Sequence, residues 1–337
     1  APVCKRPFPT VVGSCQVDGT LSGNPIFPAA QEKLRDELDW SDAGPAALRF
    51  ERFYRSNPTA SPLAGLQNMG PGWSHNHRWA LTYLVGDATT EAPSVASIAS
   101  PDGAERVFTQ PVGTGIWSPT NSADALTQTD DGAWQYTRSD IDATLTFSAD
   151  GLLQKRTERG GFIYTYAYDN SGLLSSVSNP FGRTLAFGYD DAERLVSVTL
   201  PDARALGYAY DASGRLASVT YPDGNSRSFL YENALFPQAL TGIVDEGGLR
   251  WGTFAYDNQG RAISTELAGG VSRYQTSYAS ANRASVRDPL GTTRDYSYAS
   301  KAGKLASISS NLPSGEGQPD AASRQQDAQG RIISETE

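Results

Sequence analysis

Cysteine is nearly absent from this 337-residue chain: Cys4 and Cys15 are the only two, both at the extreme N-terminus. A disulfide framework through the body is thereby excluded, and two thiolates alone do not complete a tetrahedral zinc shell. Their isolation as a pair favours a disulfide formed in an oxidising compartment over two free thiols. Histidine is as scarce, with only His75 and His77. Spaced i, i+2, they could share a strand face and hold a metal only if carboxylates finished the shell. The preferred reading makes them structural, in a turn where Trp73 packs. A Ser-His-Asp triad would need one of them, and no Gly-x-Ser-x-Gly elbow is present. Phosphate-loop and dinucleotide fingerprints are missing too, so no cofactor is expected. No run of about 18 apolar residues occurs, which leaves no candidate membrane-spanning helix. Basic clusters are also wanting: 28 Lys+Arg stand against 37 Asp+Glu, a net charge of -9. Nucleic acid and anionic membrane are poor partners for such a surface.

What the chain has in quantity is turn formers and tyrosine: 33 Gly, 20 Pro and 16 Tyr, with 39% hydrophobic residues. They are arranged as a repeat, clearest from Leu206 to Tyr231. Its core is Tyr210-Asp211-x-x-Gly214-Arg215-Leu216, followed by a Pro222-Asp-Gly224 turn. The aromatic that opens the turn recurs at Phe147, Tyr168, Tyr189, Tyr210 and Tyr231, an unbroken spacing of 21. It continues at Tyr256, Tyr278 and Tyr298, and Gln326 takes the slot in a last copy. Asp169, Asp190 and Asp257 repeat the aspartate; Gly172 and Gly260 repeat the glycine, which Glu193 replaces in one unit; Arg261 repeats the arginine. Runs such as Leu216-Ala-Ser-Val-Thr-Tyr221 roughly alternate large apolar with small or polar residues, a strand signal. Aspartate bonds to its own backbone two residues on and glycine accepts positive φ, so Tyr-Asp-x-x-Gly closes a turn. Each 21-residue unit is then two strands and two turns. One hairpin cannot bury its own apolar face, so neighbours must stack. The expected fold class is all-β: a long antiparallel sheet of about 16–18 strands coiling into a barrel or shell, with the Tyr and Leu rows inside. A cavity of more than roughly one thousand Å³ is expected in so wide a sheet.

These units resemble the YD repeats of the RHS (rearrangement hotspot) family. The longer unit Tyr231–Arg250 is similar to a recurrent variant of that family. Upstream, Gly23-Asn-Pro, Arg52-Phe-Tyr-Arg55 and Gly70-Pro-Gly-Trp-Ser-His-Asn76 resemble the domain that precedes such repeats. The organisation expected is a Cys-pinned leader (1–22), an N-terminal β domain (23–130) and the YD-repeat sheet (131–337). Within the second, Glu32–Trp40 is read as a strand paired with Leu48–Tyr54, although Gln31–Leu38 has helical propensity. Trp79–Val85 reads as another strand, Pro101–Phe108 as a hairpin arm and 111–133 as loop. The start at Ala1, without Met, suggests a processed or recombinant product from which any signal peptide is already gone. RHS proteins place a self-cleaving Asp-rich segment and a variable toxin after the repeats. Asp288-Pro-Leu-Gly291 matches that segment only in part, since Thr292 follows, and it is read as an ordinary repeat turn.

The acidic pairs Asp130-Asp131 and Asp190-Asp191 are sequence neighbours in turns, so they read as solvated turn residues and not as face-to-face glycosidase carboxylates. Asp140 and Asp142 lack an EF-hand pattern around them. What the resemblance implies is a non-catalytic, encapsulating shell of a secreted or surface bacterial protein of toxin-delivery type. Its location would be extracellular or periplasmic. The alternative is a carbohydrate- or cell-surface-binding β module. Partners expected are an enclosed polypeptide or a carbohydrate, together with self-association through the edge strand near Ile332.

Overall fold

The computed structural model describes residues 21–57, 68–87, 89, 91–120, 122–301, 304–311, 321–328 and 330–336. Cys4 and Cys15 lie outside them. Among the described residues the fold is all-β, relieved only by a three-residue 3-10 turn at Ala268–Gly270.

The N-terminal part forms two four-stranded sheets. The first holds β1 (Ile26–Phe27), β2 (Glu32–Ser41), β3 (Arg49–Arg55) and β4 (Trp73–His75), in that order. Helical propensity in Gln31–Leu38 loses to strand pairing, as expected: Leu34 to Ser41 run antiparallel to Arg55 to Arg49. The second sheet holds β5 (Ala80–Leu84), β6 (Ser94–Ala99), β7 (Glu105–Gln110) and β8 (Ser118–Pro119).

From β9 (Ala125–Gln128) to Ile332–Thr336, twenty strands form one antiparallel sheet that closes into a barrel. The 16–18 strands expected fall short of this. Nine repeat markers account for eighteen strands, and one further hairpin, Ala125–Gln128 with Trp134–Arg138, stands before the first marker. Its turn runs over Thr129–Gly132 with Gln128 in the aromatic slot, so it escapes a search keyed on Tyr and Asp. The stretch 111–133, expected as loop, therefore contains a barrel strand and also β8.

Period-two alternation is also not quite what the strands do. Tyr210 pairs with Leu216, but Ala209 pairs with Ser218, which leaves Ala217 as an extra residue. The same register shift occurs at Tyr168, Tyr189 and Tyr256. Such a bulge bends its strand and increases the local twist. It also explains the Leu-x-x-Val spacing. Leu216 and Val219 lie three apart, yet both point to the buried face, as do Leu195 with Val198 and Leu174 with Val177. A bulge in nearly every unit supplies the steady curvature that a closed sheet needs.

Twenty strands at about 4.8 Å spacing give a circumference near 96 Å, hence a diameter of about 30 Å before tilt. Side chains from opposite walls cannot meet across that distance. The N-terminal sheets fill the gap. They touch the wall from Gly151 round to Ala262: Leu81 N donates to Gly151 O, Asn179 Nδ2 to Ala46 O, Leu240 N to Tyr54 Oη, and Ala262 N to Gln31 O. A small domain reaches so many strands only from the concave side. One buried cluster accordingly runs from Phe50, Tyr54 and Trp73 into Phe187, Tyr208 and Phe229 of the wall.

Candidate functional site

Two constructions stand out, one at the barrel rim and one inside. At the rim, each Tyr-Asp-x-x-Gly-Arg turn is stitched by its own residues. Asp211 Oδ1 accepts from Ser213 N (2.9 Å) and Arg215 N (3.0 Å). Its Oδ2 accepts from Arg215 Nε at 2.6 Å. Asp190 and Asp257 repeat this pattern with Arg194 and Arg261. Asp169 accepts the two backbone donors, from Ser171 and Leu173. Gly172, Gly214 and Gly260 take the left-handed conformation at φ 79°, 75° and 79°. Glu193 occupies the same position at φ 59°, where a side chain is strained. Asp288 accepts from Leu290 N and Thr292 N, so Asp288-Pro-Leu-Gly291 is an ordinary repeat turn.

The tyrosines tie one unit to the one before. Tyr168, Tyr189, Tyr210 and Tyr231 donate their hydroxyls to the carbonyls of Leu153, Leu174, Leu195 and Leu216, at 2.7–3.0 Å. Tyr256 does so to Leu240 at 2.8 Å. The arginines of Arg194, Arg215 and Arg261 lie about 5 Å over the rings of Tyr210, Tyr231 and Tyr278 in the next unit. Tyr168, Tyr189, Tyr210, Tyr231, Tyr256 and Tyr278 are thus half-buried at the rim and Tyr298 is buried, whereas Leu153, Leu174, Leu195 and Leu216, expected in the same rows, are fully inside.

Inside the barrel, β3 is covered on both faces, with every residue from Phe50 to Arg55 buried. Arg52 and Asp39 form a fully buried ion pair, Nε–Oδ2 2.5 Å and Nη2–Oδ1 2.7 Å. Tyr208 of the wall donates to the same Asp39 Oδ2 at 2.9 Å. Burial, with the Asp39 carboxylate beside it, raises the Tyr208 hydroxyl well above its usual range. The Arg52 guanidinium sits 4.9 Å from the Trp73 ring and 5.0 Å from that of Phe229. Trp73 Nε1 donates to Tyr231 Oη at 2.9 Å. The glycine-rich turn is required by close approach: a Cβ on Gly70, at φ 80°, would lie 2.6 Å from the Gly214 carbonyl.

His75 is wholly buried, between Phe50 (ring centroids 5.2 Å) and Phe187 (5.8 Å). His77 meets Tyr166 at 5.9 Å, and its Nε2 lies 2.9 Å from the Arg49 carbonyl. Burial pushes His75 well below the usual imidazole range and His77 down to about 3. Their ring centroids are 6.3 Å apart, and no group of three metal-ligating side chains exists among the described residues. The acidic turn pairs stay at the rim, and the turn aspartates bond within their own loops.

Asp39, Arg52 and Tyr208 escaped the sequence reading as a linked set. The available signal was charge at inward positions of a strand, in Arg-Phe-Glu-Arg-Phe-Tyr-Arg. Two clefts among the described residues lie elsewhere. One of about 580 Å³ lies beside Arg261, Gln275 and Arg287. The other, of about 480 Å³, is lined by Trp40, Tyr221, Arg204, Asp223, Arg227 and Glu246. No helix among the described residues is long and apolar enough to cross a membrane.

Comparison with known proteins bears on the barrel first. The family model described as Teneurin YD-shell matches residues 134–317, which is 184 of 337 residues. A second family, described as a domain of unknown function (DUF6531), matches 23–108. No curated protein matches the chain. Among solved structures, TcdB2-TccC3 aligns at TM-score 0.34 and 10% identity, over 88% of this chain and 23% of that one. TcdB2-TccC3-Cdc42 gives 0.33, 11%, 88% and 22%. A mutated Tc holotoxin pore of Photorhabdus luminescens gives 0.33, 11%, 89% and 22%. The chain therefore spans about a fifth of the length of these solved chains. By the extent of the family match, together with its repeat turns and closed β-sheet, this chain belongs to the Teneurin YD-shell family of RHS/YD-repeat proteins.

Proposed function

We propose that the protein is a non-catalytic enclosure: a turn of YD shell whose wall shields a polypeptide and whose N-terminal domain is the plug. A secreted or surface bacterial protein of toxin-delivery type is the setting that suits it. The observation that carries this reading is the continuous twenty-strand barrel with two sheets of its own chain packed against the concave face. The inner polar groups serve the plug: Asp39 is engaged by Arg52 through both carboxylate oxygens and by Tyr208. Family membership agrees with a structural role. The test is protection. An unfolded reporter polypeptide fused after Glu337 should be cut by added protease much more slowly than the same reporter fused to a non-shell protein. Equal cutting rates would remove enclosure from the account.

The 480 Å³ cleft supports a second reading, as a carbohydrate-binding module. It sets Trp40 and Tyr221 among Arg204, Asp223, Arg227 and Glu246, a mixture of ring and charged groups suited to sugar faces and hydroxyls. A glycan array probed with the wild type and a Trp40→Ala variant decides it. Binding lost in the variant sustains this reading; no binding by the wild type ends it.

A further inference from the structure

The plug contains both histidines of the chain; its packing treats His75 as a hydrocarbon ring and gives His77 one partnered nitrogen, Nε2, at the Arg49 carbonyl. His75 has no exposed surface, and neither of its ring nitrogens has a hydrogen-bond partner. Nδ1 of His77 is likewise unpartnered and buried. The rings they touch are Phe50 on β3 and Phe187 and Tyr166 on the wall. The groups that act electrostatically on them are all cationic when charged. These are Arg78 on their own segment, Arg49 on β3, Arg156 on the wall, and each other. Tyr166 is neutral, because burial holds its hydroxyl proton. The nearby Arg52 is already paired with Asp39. Arg49 and Arg156 are in turn paired with Glu51 and Glu158, and among the described residues no carboxylate is hydrogen-bonded to either imidazole.

The strand that carries His75 is a short edge strand of its sheet. β4 has three residues, is the edge strand, and pairs only with Arg52, Phe53 and Tyr54 of β3. Beyond that ladder, Asn76 bonds to Glu51 and Arg49 of β3, and the anchors to the barrel are Leu195 N to Asn68 O, Trp73 Nε1 to Tyr231 Oη, and the ring contacts of His75 and His77. Short edge elements with few bonds occupy the low-stability end of a structure and open first.

We propose that His75 and His77 form an acid release: below about pH 6, the Trp73–His77 segment leaves the inner wall while the barrel remains folded. The sign follows from linkage. A released histidine has its ordinary pKa near 6.5; a docked one is held far lower, at about 3 for His77. Above pH 6.5 neither form binds the protons, and docking is at full strength. Below it, only the released form takes them up, so docking weakens steadily as pH falls toward the docked values. Two protons give up to about a hundredfold in the released-to-docked ratio per pH unit. Ordinary carboxylates titrate near 4, which leaves roughly pH 6.5 to 5 to the histidines. The inference rests on plug packing and stands whether or not the shell encloses a cargo.

The experiment follows three signals on the whole chain between pH 7.5 and 4.5: histidine NMR resonances, amide exchange of Trp73–His77 corrected for intrinsic rate, and far-UV circular dichroism. With only two histidines, the resonances need no mutant for assignment to the pair. Expected is imidazole protonation in step with a rise in segment exchange of at least tenfold per pH unit, under an unchanged β-sheet spectrum. The variant His75→Phe with His77→Gln keeps ring packing and a side-chain amide, and should flatten that rise. Histidines that titrate near 6.5 while the segment stays protected would overturn the proposal. So would loss of the whole sheet in the same step, or an acid response unchanged in the double variant. Should that variant not fold, the wild-type resonances and exchange decide alone.

Discussion

The rim and the plug are held by the same residue types, used in opposite ways. At the rim, Asp211 finds Ser213, Arg215 and its turn within five residues of itself, and the Asp–Arg pair remains partly exposed. In the plug, Asp39 finds Arg52 thirteen residues away and Tyr208 at a separation of 169, and both side chains of the pair are wholly buried. A rim turn forms as soon as its own few residues are in place, and water screens its charges. The plug pair has meaning only when the sheet has closed around it. In that low-dielectric site the pair gains little over a well-packed apolar substitute, but breaking it is costly.

The sharpest way to break the comparison is Asp39→Asn. It leaves the Arg52 guanidinium buried opposite a neutral amide, and a loss of about 3–5 kcal/mol is expected. Chemical denaturation should show the N-terminal sheets coming away first. A loss under about 1 kcal/mol would mean that Arg52 reaches water and that the plug is looser than its packing. At the rim, Asp211→Ala removes the acceptor of two backbone donors together with the partner of Arg215. The expected loss is about 1–2 kcal/mol, and Asp211→Asn, which keeps the amide oxygen, should recover most of it. Equal losses in the two variants would assign the turn's strength to charge and contradict the local hydrogen-bond account. The smallest effect has the opposite sign. Glu193 and Ala203 hold left-handed φ values of 59° and 65° where sister turns carry glycine. Glu193→Gly or Ala203→Gly should each raise stability by up to about 1 kcal/mol, relief of left-handed strain outweighing the added chain entropy. A lowered urea midpoint in both would show that these side chains contribute contacts worth more than the strain.

How far each part could be read from sequence follows the same division. The turns were legible because everything that makes them lies within one unit: an aspartate that reaches its own backbone, a residue able to take positive φ, and an arginine four positions on. The strand over Glu32–Trp40 was legible from its partner's alternation, and it runs one residue further, to Ser41. The hairpin at Ala125–Arg138 was missed because Gln128 and Thr129 make the turn without the marker pair. The bulge was missed because alternation alone cannot show where a strand gains a residue; Leu-x-x-Val, recurring at Leu174, Leu195 and Leu216, was its trace.

By itself, then, the sequence determined the all-β class, the 21-residue unit, the chemistry of its turns and the leucine rows that face inward. These are local properties, set by backbone preference and side-chain period. Tertiary structure decided that twenty strands close, that two sheets of the same chain occupy the concave face, and that Arg52, Asp39 and the two histidines are buried. The physical reason is that burial belongs to the closed barrel as a whole. Whether a charged or titratable side chain is solvated depends on walls contributed from more than a hundred residues away, and no window along the chain contains them.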